Sequence, residues 1–478
     1  MSNPEGRFNI FADGGPVSGG RLRRAAPVLA LTVRTAGSVA VGALRRGRGD
    51  TDAAELHART ARRYAEMLGG SKGVLMKAGQ LLSFSALAPA IPTEMRPVYQ
   101  EALARLRCNA DAMDPELARQ VLERELGCAA ESAFAEFDWA PLAAASIGQV
   151  HAARLHDGLE VAVKIQYPGV AEAVSADLKN TELLATFVTL FLGGLSQRRL
   201  SFDLRGAARE VGDRIFEELD YRHEAANQAR FAALYRGHPF IHVPAVVGEL
   251  CTERVLTQEL ARGLSWDEAS AAPQELRDRW AEAIWRFTYG AYKRIFMINA
   301  DPHPGNYVFH EDGSVTFLDF GCVKRFSREQ VEICEEILRA CLRGDVLATW
   351  RACVEAGFVR STDPVTPEEV YAHWREDWAL FWAQERFVVT PDYVAGRIER
   401  RCSPNGPSGN AVRHIVMSPD YTMMGRIEIG VESVMAGLRA GNHWGAISAE
   451  GLEDAAPLTE MGRLERAFFD ARELAFGL

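Results

Sequence analysis

Four polar side chains at fixed spacings could together hold phosphate groups and a divalent cation. Lys164 ends the apolar run 161–163, so a rigid strand would carry its ammonium group. Asp301 and Asn306 are five residues apart, and Asp319 follows Asn306 after thirteen residues. An ammonium group neutralises phosphate oxygens, and carboxylate and amide oxygens are the hard ligands that Mg²⁺ takes. These residue types therefore predict a site for phosphates and Mg²⁺.

The order of these residues matches the order of the catalytic motifs of protein kinases. Val-Ala-Val-Lys at 161–164 corresponds to the strand lysine, Asp301 to Asn306 to D-x-x-x-x-N, and Asp319-Phe320-Gly321 to D-F-G. Each pattern alone has an ordinary explanation: an exposed lysine, an Asp-Pro turn, or an aspartate after a strand. Their shared order favours the catalytic interpretation. Lys164 would then hold the α/β-phosphates of ATP or ADP, and Asp301 would orient the acceptor. Asn306 and Asp319 would bind Mg²⁺.

The elements that must position these residues are strands and helices of ordinary length. Apolar and β-branched runs predict strands over 148–155 and 159–165, joined by the turn signal His156-Asp157-Gly158. A further β-run at 314–318 precedes Asp319. Helical spacing predicts helices over 115–126, about 174–235 and 274–298, and a mostly helical remainder over 328–478.

Several stretches differ from ordinary kinases and share another pattern. No G-x-G-x-x-G precedes Lys164, and the alanine-rich stretch 143–151 stands in its place. Lys77-Ala78-Gly79-Gln80 reads K-x-G-Q, and Glu218-Leu219-Asp220 reads E-x-D. Together with the stretch 255–260, these features resemble the UbiB/ADCK (AarF-like) family of atypical kinases over roughly 70–345, closest to its coenzyme Q-associated branch. The family commonly has His before Ala-Asp, where this chain has Asn299.

The resemblance implies nucleotide contacts from the alanine-rich loop and from a hinge that would hold adenine. The residues concerned are Ala143, Ala144, Ala145, Ser146, Gly148, Glu259 and Leu260. Alanines in place of glycines restrict positive φ and add methyl groups where backbone amides should cradle the phosphates. The loop is therefore expected to bind phosphates in an altered way.

The resemblance also implies a gate made by the K-x-G-Q helix. Lys77 would pair with Glu218 and Asp220, because a buried ammonium needs such partners, and with Gln80 it would exclude peptide substrates. The simpler alternative for Lys77 and Gln80 is an exposed polar helix face. The candidates to pair with the strand lysine are Glu218, Asp220 and Glu224, of which we take Glu224 as the partner.

The fold class expected is α+β, a protein-kinase-like two-lobed fold with helical extensions on both sides. The expected organisation is a leader and basic segment at 1–50, a helical K-x-G-Q extension at 51–133, a small lobe at 134–260, a large lobe at 261–345 and a C-terminal helical extension at 346–478.

Composition excludes several classes of protein. With 47% hydrophobic and 25% charged residues, the chain has the composition of a globular protein. A net charge of −10 argues against a nucleic-acid binder that neutralises phosphates. The 8 cysteines form no C-x-x-C pair, which indicates a reducing compartment.

The segment 21–48 contains seven arginines and no acidic residue around apolar runs. This pattern suits a helix lying on an anionic lipid membrane. The alternatives are a disordered basic leader or a cleavable transit peptide. The longest uncharged apolar stretch, 183–197, has 15 residues where a membrane-spanning helix needs about 20, which argues against a classical transmembrane protein. The cytoplasmic face of a bacterial inner membrane is the favoured location, and a processed organellar (mitochondrial-type) protein is the alternative.

The function implied is an ATP-binding, Mg²⁺-dependent atypical kinase or ATPase that supports isoprenoid-quinone (ubiquinone-type) biosynthesis at a membrane. A phosphotransferase acting on a small-molecule or protein hydroxyl and a nucleotide-binding pseudokinase scaffold are the alternatives. The partners expected are an anionic membrane and either quinone-biosynthesis enzymes or lipid quinone precursors, with no nucleic acid. The sequence leaves a homodimer open.

Overall fold

The computed structural model describes residues 112–144, 147–172, 219–402, 409–416 and 419–476. These residues belong to two compact units. The first ends at Ala225 and adds Val246–Leu260, and the second comprises Ala226–Ala245 and Ala261–Leu478.

The described strands and helices are numbered in chain order. The strands are β1 (Glu136–Ala144), β2 (Gly148–Arg154), β3 (Glu160–Gln166), β4 (Ile241–His242), β5 (Val255–Glu259), β6 (Met297–Asn299), β7 (Tyr307–Phe309), β8 (Val315–Phe317), β9 (Val323–Arg325), β10 (Phe387–Val388) and β11 (Gly441–Asn442). The helices are α1 (Pro115–Leu126), α2 (Ala130–Ala133), α3 (Tyr221–Tyr235), α4 (Trp266–Ala271), α5 (Gln274–Ile295), α6 (Arg328–Arg343), α7 (Val346–Glu355), α8 (Pro367–Asp377), α9 (Pro391–Cys402), α10 (Gly409–His414), α11 (Pro419–Gly437), α12 (Trp444–Leu452) and α13 (Glu460–Phe476).

The first unit is built on an antiparallel sheet in the order β1-β2-β3-β5. The predicted turn between β2 and β3 is confirmed, with Gly158 at a φ of 92° that favours glycine. Alternate residues of β3, among them Val161 and Val163, are fully buried in one hydrophobic cluster with Leu122 of α1. This packing fixes β3, and therefore the strand that carries Lys164.

The predicted helix over 115–126 is also confirmed, and its ends follow the capping rules. The Asp114 side chain accepts a hydrogen bond from the Glu116 N–H, and Pro115 opens the first turn. Gly127 ends the helix at a φ of 71°, and its N–H donates to the Glu123 carbonyl.

The second unit is organised around α5, a long helix whose middle is buried. Phe287 of α5 stacks on Phe317 of β8 with ring centroids 3.7 Å apart. The sequence predicted this helix to reach residue 298, which is wrong by three residues. Phe296 adopts a left-handed φ of 55° that ends the helix, and Met297–Asn299 then pairs with Val323–Arg325. Long-range strand pairing overrides the local helical pattern here.

The C-terminal helices of the second unit are held by two buried arginines. Arg397 of α9 lies 2.9 Å from a Glu428 oxygen and also pairs with Glu432 of α11. Arg286 of α5 contacts Glu450 and Glu465 at 2.8 Å each. Removing one member of such a pair leaves an uncompensated buried charge, so these contacts specify how α9, α11, α12 and α13 pack.

Within the described residues, no helix is both long enough and apolar enough to span a membrane. The basic segment 21–48, on which the membrane expectation rests, lies outside those residues.

A buried histidine near the end of α3 makes the stability of the protein depend on pH. His238 is 2% exposed, and its Nδ1 accepts from the Ile241 N–H at 3.1 Å. Burial, with nearby arginines and His242, lowers the pKa of His238 to about 3. An unfolded histidine takes up a proton below about pH 6.5, whereas folded His238 does not, so acid favours the unfolded chain.

We therefore expect the free energy of unfolding to fall by up to about 1.4 kcal/mol per pH unit below pH 6.5 through this residue. Urea denaturation at pH 6.5 and 5 measures the loss. A His238→Asn variant, whose side chain retains an acceptor, should lose less stability on acidification, whereas the exposed His156→Asn control should follow the wild type. Equal losses in His238→Asn and wild type would show that His238 does not contribute.

Candidate functional site

Lys164 is held by Glu224 in the first unit. The Lys164 Nζ donates to both carboxylate oxygens of Glu224, at 3.1 and 3.0 Å. The side chains are 15% and 5% exposed, and the ammonium lies 5.0 Å from the centre of the Tyr221 ring. β3 supplies the lysine and the first turn of α3 supplies the glutamate. A largely buried ion pair fixes the position of a charge that could neutralise phosphate oxygens.

The described residues of the alanine-rich stretch 143–151 include the end of β1 and the start of β2. Ala143 pairs with Val150 and Ala144 with Gln149, so the two strands form a hairpin across this stretch. Gly148 opens β2 at a point where no side chain fits. A Cβ there would lie 2.3 Å from the Ile165 carbonyl oxygen, which is much closer than van der Waals contact.

A buried polar chain under this hairpin was missed by the sequence analysis. The Gln149 Oε1 accepts from the Met113 N–H at 2.7 Å, so its Nε2 donates to the His151 Nε2 at 2.9 Å. The His151 Nδ1 then donates to the Asp138 carbonyl at 2.9 Å. Burial lowers the pKa of His151, which keeps the ring neutral. The alternation of Gln149 and His151 on a buried strand face was the only sequence signal for this chain of hydrogen bonds.

The lack of space at Gly148 gives a direct test of the hairpin. A Gly148→Ala change should cost about 1–3 kcal/mol, because the methyl group forces β2 away from β3. It should also weaken nucleotide binding if the hairpin contacts phosphate. Urea denaturation and nucleotide titration measure the two effects. The control Gly248→Ala introduces a methyl group that meets no atom within 4 Å. A Gly148→Ala protein as stable as this control would contradict the steric argument.

Asp301 and Asn306 are brought together in the second unit by a tight loop. Pro304–Asn306 forms a short 3₁₀ turn, and the His303 Nδ1 accepts from the Gly305 N–H at 2.9 Å. The Asn306 Nδ2 then donates to the Asp301 carbonyl at 3.0 Å and to its Oδ2 at 3.3 Å. The predicted five-residue spacing therefore places the two side chains in contact.

Asp319 occupies a left-handed turn next to this loop. Its φ is 57°, which is uncommon for a residue with a Cβ, and its Oδ1 accepts from the Gly321 N–H at 3.1 Å. The carbonyl of Asn306 accepts from the Leu318 N–H at 2.8 Å, which ties the loop to the residue before Asp319. The three residues assigned to the acceptor and to Mg²⁺ thus lie in one connected segment of the second unit.

The donor atoms of this segment fit a magnesium ion. The Asn306 Nδ2 is engaged with Asp301, so the planar amide turns its Oδ1 to the opposite side. Asp319 adds a half-buried carboxylate. One amide oxygen and one carboxylate match the few protein ligands that Mg²⁺ takes when phosphates supply the others.

Asn299, the departure from the family pattern, links the two parts of this segment. Its Oδ1 accepts from the Asp301 N–H at 3.1 Å, and its Nδ2 donates to the Asp319 carbonyl at 2.9 Å. An asparagine at this position therefore supports both the loop Asp301–Asn306 and the D-F-G turn Asp319–Gly321.

The remaining predicted site residues are placed as follows. The Asp220 Oδ1 accepts from the Arg222 N–H at 3.0 Å at the start of α3, and the same side chain pairs with the guanidinium of Arg222. Glu259 ends β5 opposite Val161, and the Leu260 N–H donates to the Glu160 carbonyl at 3.0 Å. The predicted residues outside the described part of the chain are Lys77, Gln80, Ala145, Ser146 and Glu218.

One known protein family matches the stretch of the chain that contains these residues. The model described as "ABC1 atypical kinase-like domain" matches residues 105–351, which is more than half of the chain. The chain belongs to this family. The region matched contains the strand lysine, the catalytic loop and the D-F-G turn of this ABC1 atypical kinase-like protein.

The curated relatives of this ABC1 protein include COQ8 atypical kinases, in agreement with the family resemblance of the motifs. The chain is 36% identical over 287 residues to "Atypical kinase COQ8B, mitochondrial" of Rattus norvegicus, covering 60% of this chain and 52% of the relative. It is 30% identical over 301 residues to "Atypical kinase COQ8, mitochondrial" of Saccharomyces cerevisiae, covering 63% and 58%. The chain thus spans a little over half the length of these relatives.

A solved structure also resembles the ABC1 protein. The structure of Rv3197 from Mycobacterium tuberculosis, described as a complex with erythromycin, superposes with a TM-score of 0.59 at 30% identity. The match covers 84% of this chain and 97% of that one. The predicted α+β, protein-kinase-like fold is therefore confirmed.

Proposed function

We propose that this protein is an ATP-dependent, Mg²⁺-dependent atypical kinase or ATPase. The observation that carries the proposal is the connected segment in which Asn306 holds Asp301 and precedes Asp319 in its left-handed turn. A nucleotide-binding scaffold needs no such set, because it transfers no phosphoryl group. Membership of an atypical kinase family supports the same assignment.

Each side chain has a specific task in this proposal. Lys164, held by Glu224, binds α/β-phosphate oxygens of ATP. Asn306 and Asp319 hold Mg²⁺, which neutralises charge on the phosphates. Asp301 accepts a hydrogen bond from the acceptor hydroxyl or from water and orients its oxygen toward the γ-phosphorus.

The alanine-rich hairpin and the hinge complete the nucleotide contacts proposed. The loop at 143–148 covers the phosphates, and Glu259 with Leu260 holds the adenine. The gate that selects small or membrane-embedded acceptors over peptides consists of Lys77, Gln80, Glu218 and Asp220. Asp220 already has Arg222 as a partner, so a gate contact with Lys77 would share or replace that ion pair.

A role in isoprenoid-quinone biosynthesis at a membrane is the biological setting we propose. Support comes from the similarity to the mitochondrial COQ8 and COQ8B kinases and from the basic segment at 21–48. The proposed partners are an anionic lipid surface and either quinone-biosynthesis enzymes or lipid quinone precursors. The cytoplasmic face of a bacterial inner membrane and the inside of an organelle both provide such a surface.

Phosphate release from ATP by the full chain tests the proposal. The assay uses Mg²⁺ and either neutral phosphatidylcholine liposomes or the same liposomes with cardiolipin, with and without a phenolic quinone precursor. We expect release that requires Mg²⁺ and increases with cardiolipin. A Lys77→Ala variant reports on the gate, with Arg154→Ala, a surface change in the β1–β2 hairpin, as its control.

The outcomes separate the alternatives. Labelled phosphate recovered in an organic molecule or in protein would identify a phosphotransferase. Nucleotide binding without phosphate release under any of these conditions would identify a scaffold, and the enzyme assignment would be withdrawn.

A further inference from the structure

Two asparagine side chains hold consecutive carbonyl groups of the D-F-G turn. The Asn299 Nδ2 donates to the Asp319 carbonyl at 2.9 Å, and the Asn227 Nδ2 donates to the Phe320 carbonyl at 3.1 Å. Asn227 belongs to α3 and is separated from Phe320 by 93 residues. Two separate parts of the second unit thus converge on one turn.

The orientation of each amide is fixed by a second hydrogen bond. The Asn227 Oδ1 accepts from an Arg325 guanidinium nitrogen at 2.7 Å, and the Asn299 Oδ1 accepts from the Asp301 N–H at 3.1 Å. Because an amide presents its oxygen and its NH₂ group on opposite sides, each Nδ2 must then face the D-F-G turn. Asn227 is fully buried, so its amide needs both partners.

The turn that these amides hold has an intrinsically unfavourable backbone. Asp319 has a φ of 57°, where a residue with a Cβ is seldom found. Phe320 is fully buried against Phe231, with ring centroids 4.9 Å apart, which anchors the next residue. Hydrogen bonds to both carbonyls oppose the rotation that would return Asp319 to an ordinary conformation and turn its carboxylate away.

We propose that Asn227 and Asn299 are positioning residues that hold Asp319 in the conformation in which its carboxylate binds Mg²⁺. Neither touches the metal or the substrate; both act through the Asp319–Phe320 backbone. The inference rests on the proposed function, since it presumes that Asp319 is a metal ligand. It adds that this chain uses an asparagine pair, one from α3 and one from the end of β6, to set metal affinity.

The strength with which Mg²⁺ enhances nucleotide binding tests the inference. For each full-length variant, the dissociation constant of a non-hydrolysable ATP analogue is measured in EDTA and in saturating Mg²⁺. The value in EDTA divided by the value in Mg²⁺ gives the ratio by which Mg²⁺ tightens binding. Asn227→Asp keeps the acceptor for Arg325 but loses the donor to Phe320. Asn299→Ala loses the donor to Asp319, and Asn299→His offers a ring N–H in its place.

We expect Asn227→Asp and Asn299→Ala to lower the ratio about 3–10-fold each, the size of one lost hydrogen bond, with the metal-free affinity unchanged. Asn299→His should recover most of the ratio. Asn410→Ala removes another asparagine contact to a backbone carbonyl, that of Pro364, and should keep the wild-type ratio.

Three results would overturn the inference. In the first, Asn227→Asp and Asn299→Ala keep the wild-type ratio, while Asp319→Asn lowers it. The two asparagines would then not position Asp319, and the proposed function would stand. Equal losses of metal-free and metal-bound affinity would mean that the asparagines only support the fold. A wild-type ratio in Asp319→Asn would remove the metal role of Asp319 and both proposals with it. Asn299 is only partly buried, so its variants should fold and still test the inference even if Asn227→Asp fails to fold.

Discussion

An Asp319→Asn substitution is expected to lower Mg²⁺-dependent ATP turnover by about 10²–10³-fold. The carboxylate is the only charged ligand that we assign to the metal, and removing one preorganised electrostatic group from a transition state costs about this much. The neutral amide can still accept the Gly321 N–H, so the turn and the thermal stability should change little. Initial rates of phosphate release at several Mg²⁺ concentrations measure the loss.

The matched control for this change is Asp345→Asn. Asp345 caps the start of α7 by accepting from the Ala348 N–H, and asparagine caps helices about as well. This variant should keep wild-type turnover. Turnover in Asp319→Asn within a few-fold of the control would show that Asp319 does not hold the catalytic metal.

Lys164→Met is expected to cause the largest loss of stability among these variants. The change leaves Glu224, whose side chain is 5% exposed, without its ammonium partner. Removing one member of a buried ion pair costs about 3–5 kcal/mol, and residual solvent contact at Lys164, which is 15% exposed, places the loss toward the lower end. Affinity for the ATP analogue should fall as well, because the ammonium group assigned to the α/β-phosphates is removed.

The double variant Lys164→Met/Glu224→Gln separates these two effects. Neutralising Glu224 removes the buried negative charge that Lys164 had balanced, so much of the lost stability should return while nucleotide affinity stays low. Arg154→Met breaks an exposed pair with Glu136 in the same unit and should remain close to wild type by both measures. If the double variant were no more stable than Lys164→Met, the pair would not be the source of the loss. Urea denaturation and nucleotide titration provide both readouts.

Local sequence patterns predicted the parts of the fold that depend on local contacts. The capped helix α1, the β2–β3 turn at Gly158 and the strand before Asp319 all follow from spacing and turn chemistry. The end of α5 did not, because Phe296 takes a left-handed conformation that only the pairing of β6 with β9 explains.

The parts of the candidate site that depend on local contacts could also be predicted from the sequence. Asp301 and Asn306 lie five residues apart, so their contact follows from the loop itself. The sequence analysis took Glu224 from three candidate carboxylates as the partner of Lys164, and the structure brings the two side chains together across 60 residues. Asn227 had no local signal, because its partners Phe320 and Arg325 lie 93 and 98 residues away along the chain. The Gln149–His151 chain had one weak signal, the alternation of two polar residues along a strand.

The most direct test of the central claim is equilibrium binding of a non-hydrolysable ATP analogue to the full chain, by calorimetry, with Mg²⁺ and with EDTA. We predict one saturable site per chain that binds more tightly with Mg²⁺ and is lost in Lys164→Met. No binding, or binding that neither Mg²⁺ nor Lys164→Met changes, would contradict the assignment of this site as a kinase-like nucleotide site.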